Sequence, residues 1–179
     1  MKKIAIIGTG ISALSLAHHL PTLDITFFEK SWRPGGRLST RKHNDLQFDH
    51  GAHFLSPDHG VLGFTEALEK VQAIKKVEAL YTPNYLGQST KEMKSIIIGN
   101  NGIQSIPLNL HKSLHYPTHF STKIEKIERA EKNYYISSDK DQFGPFDMVF
   151  ACIPFEQGVT LLQDHIDFKN LILYGIFMV

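Results

Sequence analysis

The sequence predicts an α/β fold that combines a parallel sheet with antiparallel strands. Two short apolar runs, 3–7 and 25–28, flank a glycine-containing turn and a helical pattern, which is the order of a βαβ unit. The second run ends on the carboxylate of Glu29. Two later runs, 134–137 and 143–146, are joined by a charged turn and therefore predict antiparallel strands.

The turn between the first strand and the helix has the pattern Gly-x-Gly-x-x-Ala. Gly8 permits a tight turn, and Gly10 has no Cβ that would keep a pyrophosphate away from the backbone. Ala13 replaces the usual third glycine, and its methyl group still allows close packing of the helix on the strand. The free N–H groups that open the helix, around Ile11 and Ser12, predict a phosphate site.

The acid at the end of the second strand completes the pattern. Glu29 is placed to accept hydrogen bonds from ribose hydroxyls. Glycines alone would be weak support, because they also occur in ordinary turns. Strand, glycine turn, helix, strand and acid in this order predict a Rossmann-type dinucleotide-binding unit.

A glycine-rich cationic loop follows this acid directly. Gly35 and Gly36 stand between Pro34 and Arg37, so the backbone can lie against a ligand with a guanidinium beside it. The alternative is a flexible cationic surface loop. The position straight after Glu29 favours a second contact with the same cofactor.

These residues together resemble a known family. Glu29-Lys30, Gly35-Gly36-Arg37 and Asp49-His50-Gly51-Ala52 are similar to motifs of the flavin-containing amine oxidase superfamily, and most of all to its renalase-like FAD-dependent oxidoreductases. The superfamily usually has glutamine where this chain has His53. The resemblance implies a Rossmann-type FAD-binding domain, with a parallel sheet plus antiparallel strands, and part of a substrate domain.

The resemblance also implies roles for individual residues. The glycine turn would bind the FAD pyrophosphate and Glu29 the adenosine ribose. Arg37 would lie along the phosphates and the ribityl chain, the segment at Gly51 near the flavin ring, and the backbone of Ile124 opposite the adenine. The full set of expected FAD-binding residues is Gly8, Gly10, Ile11, Ser12, Glu29, Lys30, Gly36, Arg37, Gly51, Ala52 and Ile124. No residue is assigned as a catalytic acid or base.

Further elements follow from periodicity and turn residues. The sequence predicts helices over 61–74 and 103–110 and from 155 onward, and strands over 84–87, 94–99, 118–127, 134–137, 143–146, 147–152 (buried) and 171–179. His111, His115 and His119 are spaced four apart, but Pro117 would break the helix needed to align them, so no metal site is predicted. Cys152, in an apolar strand, is expected to be an inert small hydrophobe.

Length and composition limit the class of protein. The 179 residues allow one domain, or one domain and part of a second. A formal net charge of +1 gives no general attraction to nucleic acid or membrane, and no apolar stretch is long enough to span a bilayer. Gly8 and Gly10 interrupt the apolar start that imitates a secretory signal, and the single cysteine fits a reducing compartment. We therefore expect a cytoplasmic protein with a small-molecule substrate.

The resemblance further implies how the chain is divided. We expect the first part of an FAD-binding domain over 1–58, a partial substrate or cap segment over 59–115, return strands of the FAD-binding domain over 116–165, and the start of a substrate segment over 166–179. Full-length relatives carry a later Gly-Asp motif that holds the flavin, and this chain contains no Gly-Asp dipeptide. A chain truncated at its C-terminus, or one that needs a second polypeptide, is therefore expected.

Three functions remain open at this point. The first is an FAD-dependent oxidoreductase that passes a hydride from a small amine or a dihydronicotinamide-type substrate to flavin and then to oxygen. The second is a non-catalytic FAD- or ADP-binding fragment, or a subunit of a split flavoenzyme. The third is an NAD-dependent dehydrogenase, which the Gly35-Gly36-Arg37 loop disfavours.

Overall fold

The computed structural model describes residues 1–56, 62–81, 84–85, 88–89 and 91–166. The strands are β1 (Lys3–Ile7), β2 (Asp24–Phe28), β3 (Leu38–His43), β4 (Leu46–Gly51), β5 (Ile74–Tyr81), β6 (Asn84–Tyr85), β7 (Gln88–Ser89), β8 (Glu92–Gly99), β9 (Thr118–His119), β10 (Lys126–Ala130), β11 (Asn133–Ser137), β12 (Gln142–Phe146) and β13 (Met148–Ala151). The helices are α1 (Ile11–His19), α2 (Leu62–Lys70), α3 (Ser105–Leu114) and α4 (Phe155–Leu162).

A four-stranded parallel sheet forms the centre of the fold. Its strand order is β13-β1-β2-β9, and every neighbouring pair is parallel. A second sheet, β10-β11-β12, is antiparallel, and the pairs β3–β4, β5–β8 and β6–β7 are antiparallel hairpins or ladders. The predicted α/β class, with a parallel sheet and antiparallel strands, is confirmed.

The parallel sheet separates two hydrophobic cores, because successive side chains of a strand point to opposite faces. Ile4 and Ile6 of β1 belong to the first core, and Ala5 and Ile7 belong to the second. Helices α1 and α3 cover the first face, while the antiparallel sheet and α4 cover the second. The molecule is thus layered as helices, parallel sheet, and antiparallel sheet with a helix.

Helix α3 also shows how the middle of the chain joins this layer. Ile106 and Leu110 of α3 are in the same buried cluster as Leu14 of α1. The helix leads into β9, which pairs in parallel with β2, so both α1 and α3 run back from the carboxyl edge of the sheet. Both helices therefore begin at the edge where β1 and β2 end.

The predicted helix over 61–74 is wrong at its C-terminal end. Helix α2 ends at Lys70, and Gln72 has a left-handed φ of 53° that turns the chain before β5 begins at Ile74. Strand β5, which was not predicted, pairs along its whole length with β8. The strand predicted over 94–99 forms as β8, which begins two residues earlier. Apolar residues at 71 and 74 continue the helical spacing by coincidence, which explains the error. Residue 61 of the predicted helix lies outside the described residues.

The predicted strand over 118–127 is also wrong, because it is two short strands with an irregular segment between them. After β9, Ser121 adopts a left-handed φ of 53°, and its N–H donates to the carbonyl of Ser31 at 2.9 Å. The N–H of Thr122 donates to the carbonyl of Glu29, also at 2.9 Å. These backbone bonds to the loop after β2 replace a sheet ladder, and regular pairing resumes only at β10.

The remaining predicted strands and the predicted helix over 103–110 differ from the structure in detail. Strand β13 is an edge strand with an exposed or half-buried pattern rather than a buried strand, although it forms where predicted. The helix predicted over 103–110 forms as α3, four residues longer at its C-terminus. The strand predicted over 171–179 and part of the one over 84–87 lie outside the described residues. Within the described part of the chain, no helix has the length and apolar character needed to cross a bilayer.

Candidate nucleotide-binding site

The glycine turn after β1 joins the carboxyl ends of three strands. Gly8 has a φ of +98°, and its N–H donates to the carbonyl of Phe28 at the end of β2, at 2.8 Å. A Cβ at Gly8 would stand 2.6 Å from the carbonyl oxygen of Cys152, just after β13. Glycine is therefore required here by both backbone conformation and space.

The N-terminus of α1 is open beside this turn. Gly10 is the N-cap, and no side chain caps the helix. The first helical bond runs from Leu14 N–H to the carbonyl of Gly10, so the N–H groups of Ile11, Ser12 and Ala13 have no partner within the helix. Nothing lies within 4 Å of the position that a Cβ on Gly10 would take. Free donors, a positive helix end and open space fit a diphosphate.

Glu29 lies against the same turn. Its side chain is only 7% exposed. Oε2 accepts hydrogen bonds from the N–H of Thr9 at 2.9 Å and from the hydroxyl of Thr9 at 2.6 Å, and Oε1 accepts one from the N–H of Ser31 at 2.8 Å. A carboxylate has about four lone-pair positions, so these bonds leave Oε1 with one for a ribose hydroxyl.

The glycine-rich loop packs on the phosphate turn. The N–H of Gly35 donates to the carbonyl of Thr9 at 3.2 Å, and Gly35 forms a parallel bridge with Gly10. Gly36 has a φ of +57°, and a Cβ there would lie 3.5 Å from the Cα of Gly10. The loop and the helix tip thus form one continuous surface, which a flexible surface loop would not.

The next predicted residues lie on the far side of that loop. Gly51, with a φ of +99°, lies so close to Arg37 that a Cβ would collide with the Arg37 carbonyl oxygen. The N–H of Ala52 donates to the same oxygen at 3.2 Å. Arg37, Gly51 and Ala52 are therefore brought together, and Gly36 joins them to the phosphate turn.

Lys30 and Ile124 lie on the side of Glu29 instead. The ammonium group of Lys30 donates to Oε1 of Gln157 in α4 at 3.1 Å. Ile124 is buried in the second core, and the segment before it follows the backbone of residues 29–31. The structure therefore divides the predicted residues into an acid side and a loop side, with the helix tip between them.

His111, His119 and Cys152 make contacts that are typical of residues with a structural role. Nε2 of His111 lies 2.8 Å from the hydroxyl oxygen of Thr118, and burial lowers the pKa of this histidine. His119 stacks on Phe28 instead of facing His111. Among the described residues, no three His, Cys, Asp or Glu side chains form a group that could hold a metal ion. Burial raises the pKa of the Cys152 thiol, which keeps it protonated and unreactive.

Sequence reasoning missed several residues that support the site, and for Asp49, which belongs to a motif noted above, it missed the contact with α3. Thr9 and Gln157 contact predicted residues directly, while Thr40 and Asp49 bond to the start of α3. Their partners are 20 to 127 residues away in sequence, so no local pattern indicates them. Gln104 carries a buried side-chain Nε2 without a hydrogen-bond partner in the described part of the chain.

Comparison with known proteins agrees with this geometry. Residues 6–65 match the sequence profile of the NAD(P)-binding Rossmann-like domain. Coproporphyrinogen III oxidase of Staphylococcus aureus is 41% identical over 54 residues, which cover 28% of this chain and 12% of that protein. Mitochondrial protoporphyrinogen oxidase of Nicotiana tabacum is 34% identical over 65 residues, which cover 35% of this chain and 13% of that protein. The matches thus span about an eighth of each relative.

The similarity of fold extends much further than the similarity of sequence. A structure of putrescine oxidase bound to putrescine superimposes with a TM-score of 0.66 at 12% identity, covering 87% of this chain and 59% of that one. The chain therefore contains a Rossmann-like domain within a fold similar to that of known oxidases.

Proposed function

We propose that this chain binds FAD through its ADP half and forms the nucleotide-binding part of a flavin-dependent oxidoreductase. The observation that carries the proposal is the open space at Gly10, bounded by the free N–H groups of α1 and lying beside the buried carboxylate of Glu29. A diphosphate and a ribose need these two groups in this arrangement. The porphyrinogen oxidases and putrescine oxidase that the chain resembles support a redox function.

Individual residues have separate tasks in this proposal. The N–H groups of Ile11 and Ser12 hold the diphosphate, and Oε1 of Glu29 accepts a ribose hydroxyl. Arg37 supplies positive charge near the phosphates. Gly51 and Ala52, held against the Arg37 carbonyl, extend the surface toward the flavin.

The proposed reaction uses the chemistry of the bound cofactor. Bound flavin would serve as the acceptor of a hydride from a small amine or dihydronicotinamide-type substrate. Dioxygen would be the final acceptor, and hydrogen peroxide the product. The renalase-like specificity is part of this proposal. The protein supplies orientation and exclusion of water, and we assign none of its side chains as a proton donor or acceptor.

A second candidate is an ADP- or FAD-binding fragment without catalysis of its own. Glu29 and the tip of α1, the best-defined parts of the site, would serve the ADP half of the cofactor. In that case a second polypeptide would complete the flavin site.

The first experiment adds a side chain where the proposal places the diphosphate. Gly10→Val should fold normally, because φ at Gly10 is −72° and nothing lies within 4 Å of the new Cβ. The valine would occupy the space of the diphosphate, so we expect the affinity for FAD and ADP to fall by about tenfold or more. Isothermal titration of the 179-residue chain measures both affinities.

A control replaces a glycine with equally open surroundings that lies in α4 and not in the phosphate turn. Nothing lies within 4 Å of a Cβ on Gly158, in α4, so Gly158→Ala should leave nucleotide affinity unchanged. Unchanged affinity in Gly10→Val would contradict the proposal.

The visible spectrum of the wild-type protein distinguishes the functions, since flavin bands indicate FAD binding. A colourless protein that binds ADP indicates the fragment, and one that binds NADH but no flavin indicates a dehydrogenase.

A further inference from the structure

The start of α3 is capped by residues from a distant hairpin. The helix has Gln104 at its N-cap, and no side chain of its own segment caps it. Instead, Oδ1 of Asp49 accepts a hydrogen bond from the N–H of Ile103 at 2.9 Å. The hydroxyl oxygen of Thr40 accepts one from the N–H of Gln104 at 3.1 Å. Two backbone donors at the beginning of α3 are thus satisfied by β3 and β4.

These two hairpin side chains also bind each other. Thr40 and Asp49 are directly opposite in the β3–β4 register, and the Thr40 hydroxyl donates to Oδ1 of Asp49 at 2.7 Å. Thr40 is 7% exposed. Gly102, with a φ of +78°, allows this approach, because a Cβ there would collide with the Thr40 side chain. The contact is therefore closely packed, and a polar group lost from it could not be replaced by water without rearrangement.

The same hairpin carries the loop side of the nucleotide site. Gly51 follows Asp49 by two residues, so the two lie on the same side of β4. At this end of the hairpin, Gly51 is pressed against the carbonyl of Arg37, and Ala52 donates a hydrogen bond to it. Pro107 of α3 lies 3.8 Å from where a Cβ of Gly35 would be. Helix α3 therefore contacts both the hairpin and the glycine-rich loop.

We infer that Asp49 and Thr40 are positioning residues that hold the hairpin on α3 and thereby place Arg37, Gly51 and Ala52 beside the phosphate turn. Asp49 faces the N–H of Ile103, so it acts through the hairpin and not by touching the cofactor. The inference rests on the proposed function for its effect on FAD, but its effect on the hairpin is independent of any ligand.

The ligand-free test measures amide hydrogen exchange in the 179-residue chain. In Asp49→Ala, the N–H groups of Ile103 and Ala52 should exchange faster. Ile103 loses its acceptor, and the hydrogen bond from Ala52 to the carbonyl of Arg37 is no longer held in place by the hairpin. The N–H of Gly35, which bonds to Thr9, should keep its wild-type rate. Unchanged exchange at Ala52 would overturn the inference, whatever the protein binds.

The second test separates the two halves of the cofactor. Asp49→Ala and Thr40→Val should each lower FAD affinity by about tenfold and lower ADP affinity clearly less, because ADP uses the charge of Arg37 but lacks the part of the cofactor that Gly51 and Ala52 would face. Asp49→Asn keeps an acceptor oxygen and should restore most of the FAD affinity. Asp45→Ala, at the hairpin tip, removes an equal charge and should change neither affinity.

The outcomes of the two tests are distinguishable. Equal losses of FAD and ADP affinity in Asp49→Ala would mean that Gly51 and Ala52 make no separate contribution to FAD binding, and would overturn the positioning role. A wild-type chain that binds ADP but no FAD would contradict the proposed function, while the exchange rate at Ala52 would still decide the inference.

Discussion

At the scale of single residues, the candidate nucleotide site depends on a threonine that no motif specifies. Thr9 stands between the two glycines of the turn and is fully buried. Its N–H and its hydroxyl both donate to Oε2 of Glu29, at 2.9 and 2.6 Å. Hydrogen bonds to a buried charged group each contribute about 1.5–3 kcal/mol, so this side chain stabilises the acid in its position.

Replacing Thr9 tests this contribution. Thr9→Val keeps the shape and the backbone N–H but removes the hydroxyl, so we expect the free energy of unfolding to fall by about 1.5–3 kcal/mol. Thr9→Ser keeps the hydroxyl and loses one methyl group, at a cost of about 0.8 kcal/mol. Urea denaturation measures both. A valine variant no less stable than the serine variant would show that the hydroxyl contributes nothing.

Residue roles set by local sequence were predictable, and those set by distant contacts were not. The positions of Gly8, Gly10 and Glu29 relative to one another follow from strand and helix periodicity within one βαβ unit. The partners of Asp49 are different, because Ile103 is 54 residues away and a lone aspartate in a hairpin carries no signal of a helix to cap. Its role became visible only from the three-dimensional contacts.

At the scale of elements, the stability contributed by the contact between α3 and β9 should depend on pH. Nε2 of His111 lies 2.8 Å from the Thr118 hydroxyl, and the ring contacts Phe27 and Phe120. Burial lowers the pKa of His111 below its ordinary value of 6.5, so the folded state favours the neutral ring. The unfolded chain binds the proton more readily, and the stability that His111 contributes is therefore lost as the pH falls below 6.5.

Comparison with His111→Gln isolates this histidine from the other nine. Between about pH 7 and pH 5, the free energy of unfolding of the wild-type protein should decrease relative to that of the variant, because only the wild type carries the proton penalty at this position. Urea denaturation at both pH values measures the difference. A difference that is the same at pH 7 and pH 5 would contradict the role of burial at His111.

Element boundaries were the part of the fold that sequence patterns predicted least well. The pattern of apolar residues ran through Gln72 without a break, but the left-handed backbone there ends α2 and starts β5. The long strand predicted from Thr118 failed because its backbone groups bond to the loop around Glu29. In the second place contacts far away in sequence decided the structure, in agreement with the context dependence of β-strands.

At the scale of the whole molecule, the parallel sheet and its two cores unite segments that the sequence separates. The α/β class was predictable because the first βαβ unit is contiguous in sequence. The packing of α3 on α1 was not, because an amphipathic pattern shows which face of a helix is apolar but not which partner covers it. The predicted substrate segment, 59–115, thus contributes α3 to the hydrophobic core that also contains β1 and α1.

Substitutions on α3 test whether this segment unfolds together with β1 and α1. Ile106 is fully buried in the cluster that contains β1 and α1, so Ile106→Ala should lower the free energy of unfolding by about 2–5 kcal/mol. Leu108, on the same helix, is 40% exposed, so Leu108→Ala should cost clearly less. Far-ultraviolet circular dichroism should show one cooperative transition in both variants, shifted more for Ile106→Ala. A separate early transition in Ile106→Ala, with the remaining structure as stable as in the wild type, would instead show that residues 59–115 form an independent unit.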